Sequence, residues 1–243
     1  MQRITRASLS TNTEAYLTKK QAHVDTLEQP DIERLWKNAR STKALGDVIS
    51  TLRMMCGPRE RCMYCLDSHG CDIEHFRPKV DYPSHAFRWS NMLLCCTECG
   101  RFKGSRFPTH NDVPLLIDPT REDPWIYLEF DPETGNIDAR FDLTIDDWSP
   151  KGTCTVDILK LNQREALSVV YKTTFRRLAK IVKEKLEQPD GISADILCND
   201  LLEVDDHGLL PWCFGPSGKT VDPFQRLQKQ HAEVWSECVS RLT

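Results

Sequence analysis

Two cysteine pairs frame the part of this sequence that can do chemistry. Cys62-Met-Tyr-Cys65 and Cys96-Thr-Glu-Cys99 lie about thirty residues apart in a chain of 243. Two-residue spacing lets both thiolates of a pair reach one ion from a tight turn. Two such pairs complete a tetrahedral four-sulfur site of the kind zinc favours, so the expectation is structural Zn²⁺. The plain alternative is four buried free thiols. A redox CxxC is disfavoured, because a second pair is present and no βαβ pattern surrounds either one. Cys56, Cys71 and Cys95 are close enough in sequence to substitute as ligands. Cys95 reads instead as a core thiol beside Leu94.

Between the pairs runs Ile73-Glu74-His75-Phe76-Arg77-Pro78-Lys79, then Trp89-Ser-Asn91. After the second pair come Gly100, Arg101, Phe102 and Lys103. A lone His is usually structural, but an imidazole with a pKa of about 6.5 is also the side chain best suited to accept a proton at neutral pH. Arg77, Lys79, Arg88, Arg101, Lys103 and Arg106 crowd the same stretch. Cations placed there would hold a polyanion; the bland reading is a solvated charged surface. Arg77 and Lys103 are the first choices for substrate contact, with Lys79 and Arg101 beside them. His69 and His85 read as surface histidines.

The order CxxC, acidic residue and His, Asn, CxxC, with Lys after the last Cys, resembles the zinc-supported branch of the HNH (ββα-metal) nucleases. That resemblance implies His75 as the general base that activates water, and Asn91 as the residue that holds the His-bearing loop. It implies Glu74 as a ligand to a catalytic Mg²⁺ or Mn²⁺ ion distinct from the zinc. One departure stands out. The family carries His or Asn directly after the final Cys, and here that position is Gly100. The catalytic ion is then left to Glu74, waters and substrate oxygens, or to a ligand from elsewhere such as His110 or Asn111. Otherwise the site is weakened, or inactive until a partner completes it.

A closer likeness runs from about residue 50 to 135. It is carried by Met55-Cys-Gly-Pro-Arg-Glu-Arg-Cys-Met-Tyr-Cys65, residues 73–79, Tyr82-Pro83, Phe87-Arg-Trp89-Ser-Asn91, Lys103-Gly104, Arg106-Phe-Pro108 and Leu116-Ile-Asp-Pro119. These segments are similar to the PtuB family, the HNH subunits of Septu-type and retron-associated anti-phage systems. The resemblance implies a defence effector acting on nucleic acid. In that family the nuclease assembles with an ABC-type ATPase, PtuA, and in retron versions with a reverse transcriptase and its RNA–DNA product. Whether the substrate is DNA or an RNA such as tRNA is not written in the motif, because the ββα-metal core attacks the backbone.

The elements that must position these residues read as α+β: a zinc-supported ββα-metal core, flanked by N-terminal helices and a mostly helical C-terminal region with a β-hairpin. The expected division is 1–55, 56–120 and 121–243. Asp31 can cap a helix that puts Ile32, Leu35 and Trp36 on one face. A second helix is expected over 42–55, with Leu45, Val48, Ile49, Leu52 and Met55 in helical spacing, stopped by Gly57-Pro58. Residues 125–130 predict a strand, and a turn at 131–136 returns the chain at Ile137. Asn162 with Glu165 suggests a capping box opening a long helix, whose stripe is Leu167, Val170, Tyr171, Phe175, Leu178, Ile181 and Val182. Its basic face (Arg176, Arg177, Lys180, Lys183, Lys185) is solvated surface or a partner contact. A final helix is expected over about 223–242.

Composition bounds the function loosely. Hydrophobic residues at 40% and charged residues at 28% are ordinary for a globular chain. A net charge of −4 counts mildly against nucleic-acid binding, but one basic site on an acidic body, or a partner's field, suffices. No apolar run reaches the roughly 18 residues of a membrane span, and the N-terminus lacks a secretory stretch. The expectation is a cytoplasmic protein, where eleven cysteines point to metal or buried thiols. Against the nuclease stands a zinc-stabilised binding module without catalysis. A zinc deaminase needs His-x-Glu and Pro before the second Cys pair; here Glu74 precedes His75 directly and no Pro stands before Cys96. Gly215-Pro-Ser-Gly-Lys-Thr220 lacks the first Gly and the leading strand of a phosphate loop.

Overall fold

Buried residues three and four apart make the first three helices, and a side-chain cap opens the first two. Ser10 accepts from the Thr13 amide to open α1 (Thr11–Asp25), which buries Leu17, Gln21 and Val24. Asp31 accepts from the Arg34 amide to open α2 (Ile32–Arg40), as its sequence position predicts. In α3 (Lys43–Met55) the buried face is Leu45, Val48 and Leu52. That helix stops where Gly57 takes φ +72° and its amide bonds the Met54 carbonyl at 3.1 Å, the left-handed stop that glycine tolerates best.

The computed structural model describes residues 1–188 and 191–243. The architecture is α+β, with short two-stranded sheets among helices. The chain forms two compact units, one spanning Arg3–Glu122 and the other Asp123–Thr243 together with Met1 and Gln2.

In the first unit, β1 (Asp72–His75) pairs antiparallel with β2 (Met92–Cys95), in the register Asp72 opposite Cys95 and His75 opposite Met92. All four residues of β2 are buried. Helix α4 (Thr97–Lys103) follows at once, so the order is strand, strand, helix. A tight hairpin joins β3 (Thr109–His110) to β4 (Val113–Pro114). Its two turn residues, Asn111 and Asp112, both have positive φ, as two-residue hairpin turns require.

In the second unit, β5 (Leu128–Phe130) and β6 (Ile137–Ala139) form the hairpin expected around the 131–136 turn. Gly135 is obligatory there: φ is +85° and a Cβ would stand 2.1 Å from the Ser168 carbonyl oxygen. A second hairpin pairs β7 (Phe141–Asp142) with β8 (Asp147–Trp148). Helices α5 (Pro150–Leu159), α6 (Glu165–Leu186), α7 (Ala194–Val204), α8 (Leu210–Cys213), α9 (Phe224–Gln230) and α10 (Ala232–Leu242) complete it. Phe130 centres the core, edge-on to Trp212 at 5.1 Å and 5.5 Å from Phe175.

Three expectations need correction. The strand starts at Leu128, because Asp123 and Pro124 wind residues 124–126 into a 3₁₀ turn. The capping box does not form: Asn162 spends its amide on Asp138, and α6 starts at Glu165 without a side-chain cap. The last helix is two, broken at His231, whose φ of −137° leaves the helical region.

Candidate functional site

The sulfur atoms of Cys62, Cys65, Cys96 and Cys99 lie within 4.8 Å of one another, and all four residues are buried. Zn–S bonds of about 2.3 Å in a tetrahedron set sulfur–sulfur edges of about 3.8 Å. The Cys65–Cys96 edge is 3.8 Å. The donor set fits zinc, and these four could hold it. Each pair sits on a knuckle that the backbone makes. The Cys62 amide bonds the Ser68 carbonyl, and the Leu66 amide bonds the Cys62 carbonyl. Cys96 is the N-cap of α4, its sulfur accepting from the Cys99 amide. Cys95 lies 4.0 Å from Cys62 and donates to the Cys96 carbonyl. Cys71 is exposed, beside Thr97.

His75 ends β1 and is 5% exposed. Its Nε2 lies 2.9 Å from the Ala86 carbonyl oxygen. A carbonyl can only accept, so Nε2 carries the proton of the neutral ring and Nδ1 is left as the acceptor. Burial lowers the pKa of His75 to about 3, Lys79 and Lys103 push it the same way, and the Ala86 bond opposes them. The ring is therefore neutral at physiological pH. A negative charge placed beside it would stabilise the protonated ring and raise that pKa. The edge of Trp36, from α2, packs on the imidazole at 4.3 Å.

Asn91 is buried and ties the segment after His75 at three points. Its Oδ1 accepts from the Arg77 amide at 2.7 Å, and its Nδ2 donates to the Arg77 and His85 carbonyls, each at 3.0 Å. Behind it stands Gln21 of α1, which accepts from the Phe87 amide at 2.8 Å, next to the carbonyl that holds His75. Arg6 donates to the carbonyls of Trp89 and Met92. We expect Asn91→Ala to cost on the order of 3 kcal/mol, since each buried polar partner left unpaired costs about 1–3 kcal/mol. Urea titration checks this, and a change under about 0.5 kcal/mol, the scatter of ordinary surface substitutions, would remove Asn91 from the loop's support.

A pocket of about 370 Å³ is lined by Glu33, Trp36, Arg40, Asp72, Glu74, His75 and Lys79, among others. Its three carboxylates are each matched by a cation. Glu33 pairs with Lys79 at 3.0 Å, Asp72 with Arg40 at 3.0 Å and Glu74 with Lys103 at 2.8 Å. Burial raises the Glu74 pKa, against the pull of Lys103. Lys103 was expected to meet substrate, yet its side chain is wholly buried. Its ammonium donates to Glu74 and to the His75 carbonyl, both at 2.8 Å, so it braces the two residues from within.

Arg101 and Arg106 are exposed on the same unit. Arg77 is half-buried with its guanidinium over Tyr82 and Phe107. A Cβ at position 100 would lie 3.6 Å from Glu74 Oε2, so that position faces the carboxylate but offers no donor. His110 and Asn111 are exposed and do not line the pocket. For a catalytic divalent ion the chain thus offers Glu74, already paired. That meets the low end of what Mg²⁺ sites use, one or two carboxylates completed by waters and substrate phosphates.

Sequence reasoning missed α2 as a wall of this pocket, Arg40 above all. One of its guanidinium nitrogens bonds both Asp72 oxygens across 32 positions, and no local pattern signals it.

The chain is similar to the Septu protein PtuB of Bacillus thuringiensis, 28% identical over 142 residues. The match covers 56% of this chain and 50% of that protein, so the chain spans about half the length of the curated relative it matches. No protein-family model matches the chain. Among the described residues no helix is long and apolar enough to cross a membrane.

Proposed function

We propose that this chain is an HNH-type endonuclease that hydrolyses nucleic acid phosphodiester bonds, acting in the cytoplasm as the effector of an anti-phage defence complex. The observation that carries the proposal is His75, a neutral imidazole whose Nε2 is tied to a backbone carbonyl, on the wall of a pocket shared with Glu74. The tie leaves Nδ1 to take the proton of an attacking water. Asn91 and Lys103 keep that ring and Glu74 in place. Arg77, Lys79, Arg101 and Arg40 hold the flanking phosphates, whose charge competes with Glu33 and Asp72 for the two paired cations. A Mg²⁺ or Mn²⁺ ion at Glu74 would supply charge stabilisation to the scissile phosphate and the departing oxygen. Zinc at the four cysteines would be structural.

Similarity to a Septu protein supports a multi-subunit setting, with an ABC-type ATPase as partner and, in a retron arrangement, a reverse transcriptase with its RNA–DNA product. The second reading, a zinc-stabilised binding module, draws on Gly100 and on the Glu74–Lys103 pair.

Gly100→Asn separates the two. A Cβ there meets Glu74 and Cys95 only at ordinary contact distance, and an added amide oxygen beside Glu74 would give the ion a second donor. Cleavage of mixed DNA and total RNA, titrated with Mn²⁺, should then reach half its maximum at about tenfold less metal, in the 10–100-fold range over which single groups around a metal act. No products from either chain, even with the ATPase present, would leave the binding module as the better account.

A further inference from the structure

Among the described residues, the second unit carries a cluster of exposed apolar side chains on one hairpin. Phe141, Leu143, Ile145 and Trp148 are 40%, 86%, 51% and 55% exposed, all inside the hairpin of β7 and β8. Phe141 and Trp148 brace its base, ring edge to ring face at 5.4 Å. Leu143 and Ile145 stand at its tip. Two strands of two residues each are marginal in water alone, and a clustered exposed apolar patch marks a contact surface.

The hairpin's own charge has one sign, and Arg140 at its foot is turned to the Trp125 carbonyl. Asp142, Asp146 and Asp147 lie in the hairpin, and residues 141–148 contain no Lys or Arg. Beside Trp148 opens a groove of about 400 Å³ with Ala139 and Val156 in its walls and Asp138 and Asp157 among its lining residues. A polyanion is repelled from this face, and a second copy would bring the same carboxylates against themselves. An apolar ridge flanked by Lys or Arg complements it.

We infer that the hairpin and its groove are the docking surface for a protein partner of that chemistry, the ATPase subunit of the defence complex. The assignment rests on the multi-subunit reading above. Its test is the affinity of the purified chain for the purified ATPase, by calorimetry at low and high salt. Leu143→Ser with Ile145→Ser should weaken binding by at least about tenfold, as loss of central apolar anchors does. Asp146→Lys with Asp147→Lys should weaken it too and flatten its salt dependence. All four positions are exposed, so the serine variant should keep its thermal unfolding. Asp146 has φ +53° and Asp147 accepts the Trp148 amide, so the lysine variant is compared at a temperature where its unfolding shows it folded.

Wild-type affinity in both variants overturns the docking surface and leaves the ATPase pairing standing. No binding by the wild type overturns the pairing, and this assignment with it. Self-association that the serine variant abolishes makes the patch a contact between copies and also overturns it.

Discussion

A Cys96→Ser chain is expected to lose its zinc and the stability of the first unit together. Wild type should carry about one zinc per chain, and the variant close to none. Cys96 is the most informative of the four, because its sulfur faces Cys65 at 3.8 Å and also accepts the Cys99 amide that opens α4. Serine is too hard a donor to replace a thiolate on zinc. Structural zinc contributes about 10–16 kcal/mol to small zinc-dependent peptides. This unit also has an apolar core through Leu52, Leu93 and Leu94, so the expected loss is smaller, at least about 3 kcal/mol, near the cost of losing a native staple. Cys71→Ser, at an exposed thiol, is the control and should change neither zinc content nor thermal midpoint. One equivalent of zinc retained at normal stability in Cys96→Ser would contradict the four-cysteine assignment and point to Cys95, 4.0 Å from Cys62.

The second large effect is His75→Ala. Loss of a positioned general base typically costs about 10²–10⁴ in rate. Nucleic-acid binding should stay within about threefold, because the proposed function puts the phosphate contacts on other side chains and such contacts dominate binding. Stability will fall, since Trp36 loses its 4.3 Å partner and the Ala86 carbonyl its donor. His75→Gln therefore accompanies it: an amide can still reach a carbonyl but is no base. Slow cleavage in both, at normal zinc content, assigns the loss to chemistry. Full activity in the glutamine variant would remove His75 from the base role.

The α+β class, the cysteine cluster, the helix capped by Asp31 and the hairpin around Gly135 were legible because each is written in adjacent residues. Spacing of two puts cysteines on a knuckle, and a polar residue before an apolar stripe opens a helix. What the sequence hid is long-range. Lys103 reads as a surface cation because most lysines are; its partners Glu74 and the His75 carbonyl arrive from 29 and 28 positions upstream. Trp36 reads correctly as core, but nothing nearby says that its ring packs on His75. Asn162 failed as a cap because α6 opens behind Arg164, two residues later, while the Asn162 side chain is drawn to Asp138 on a distant strand. Arg6 and Gln21, which hold the segments around Asn91 and Ala86, sit in helices or leaders whose local pattern carries no sign of that task.

The most direct test is phosphodiester cleavage by the zinc-loaded chain, with and without the ATPase, in Mg²⁺ or Mn²⁺, on labelled DNA and total RNA, beside His75→Ala at equal zinc content. The expected result is metal-dependent products from the wild type and at least a hundredfold fewer from the variant, the low end of a general base's effect. Wild type and variant cutting equally, or neither cutting any polymer with the ATPase present, would contradict a nuclease built on His75.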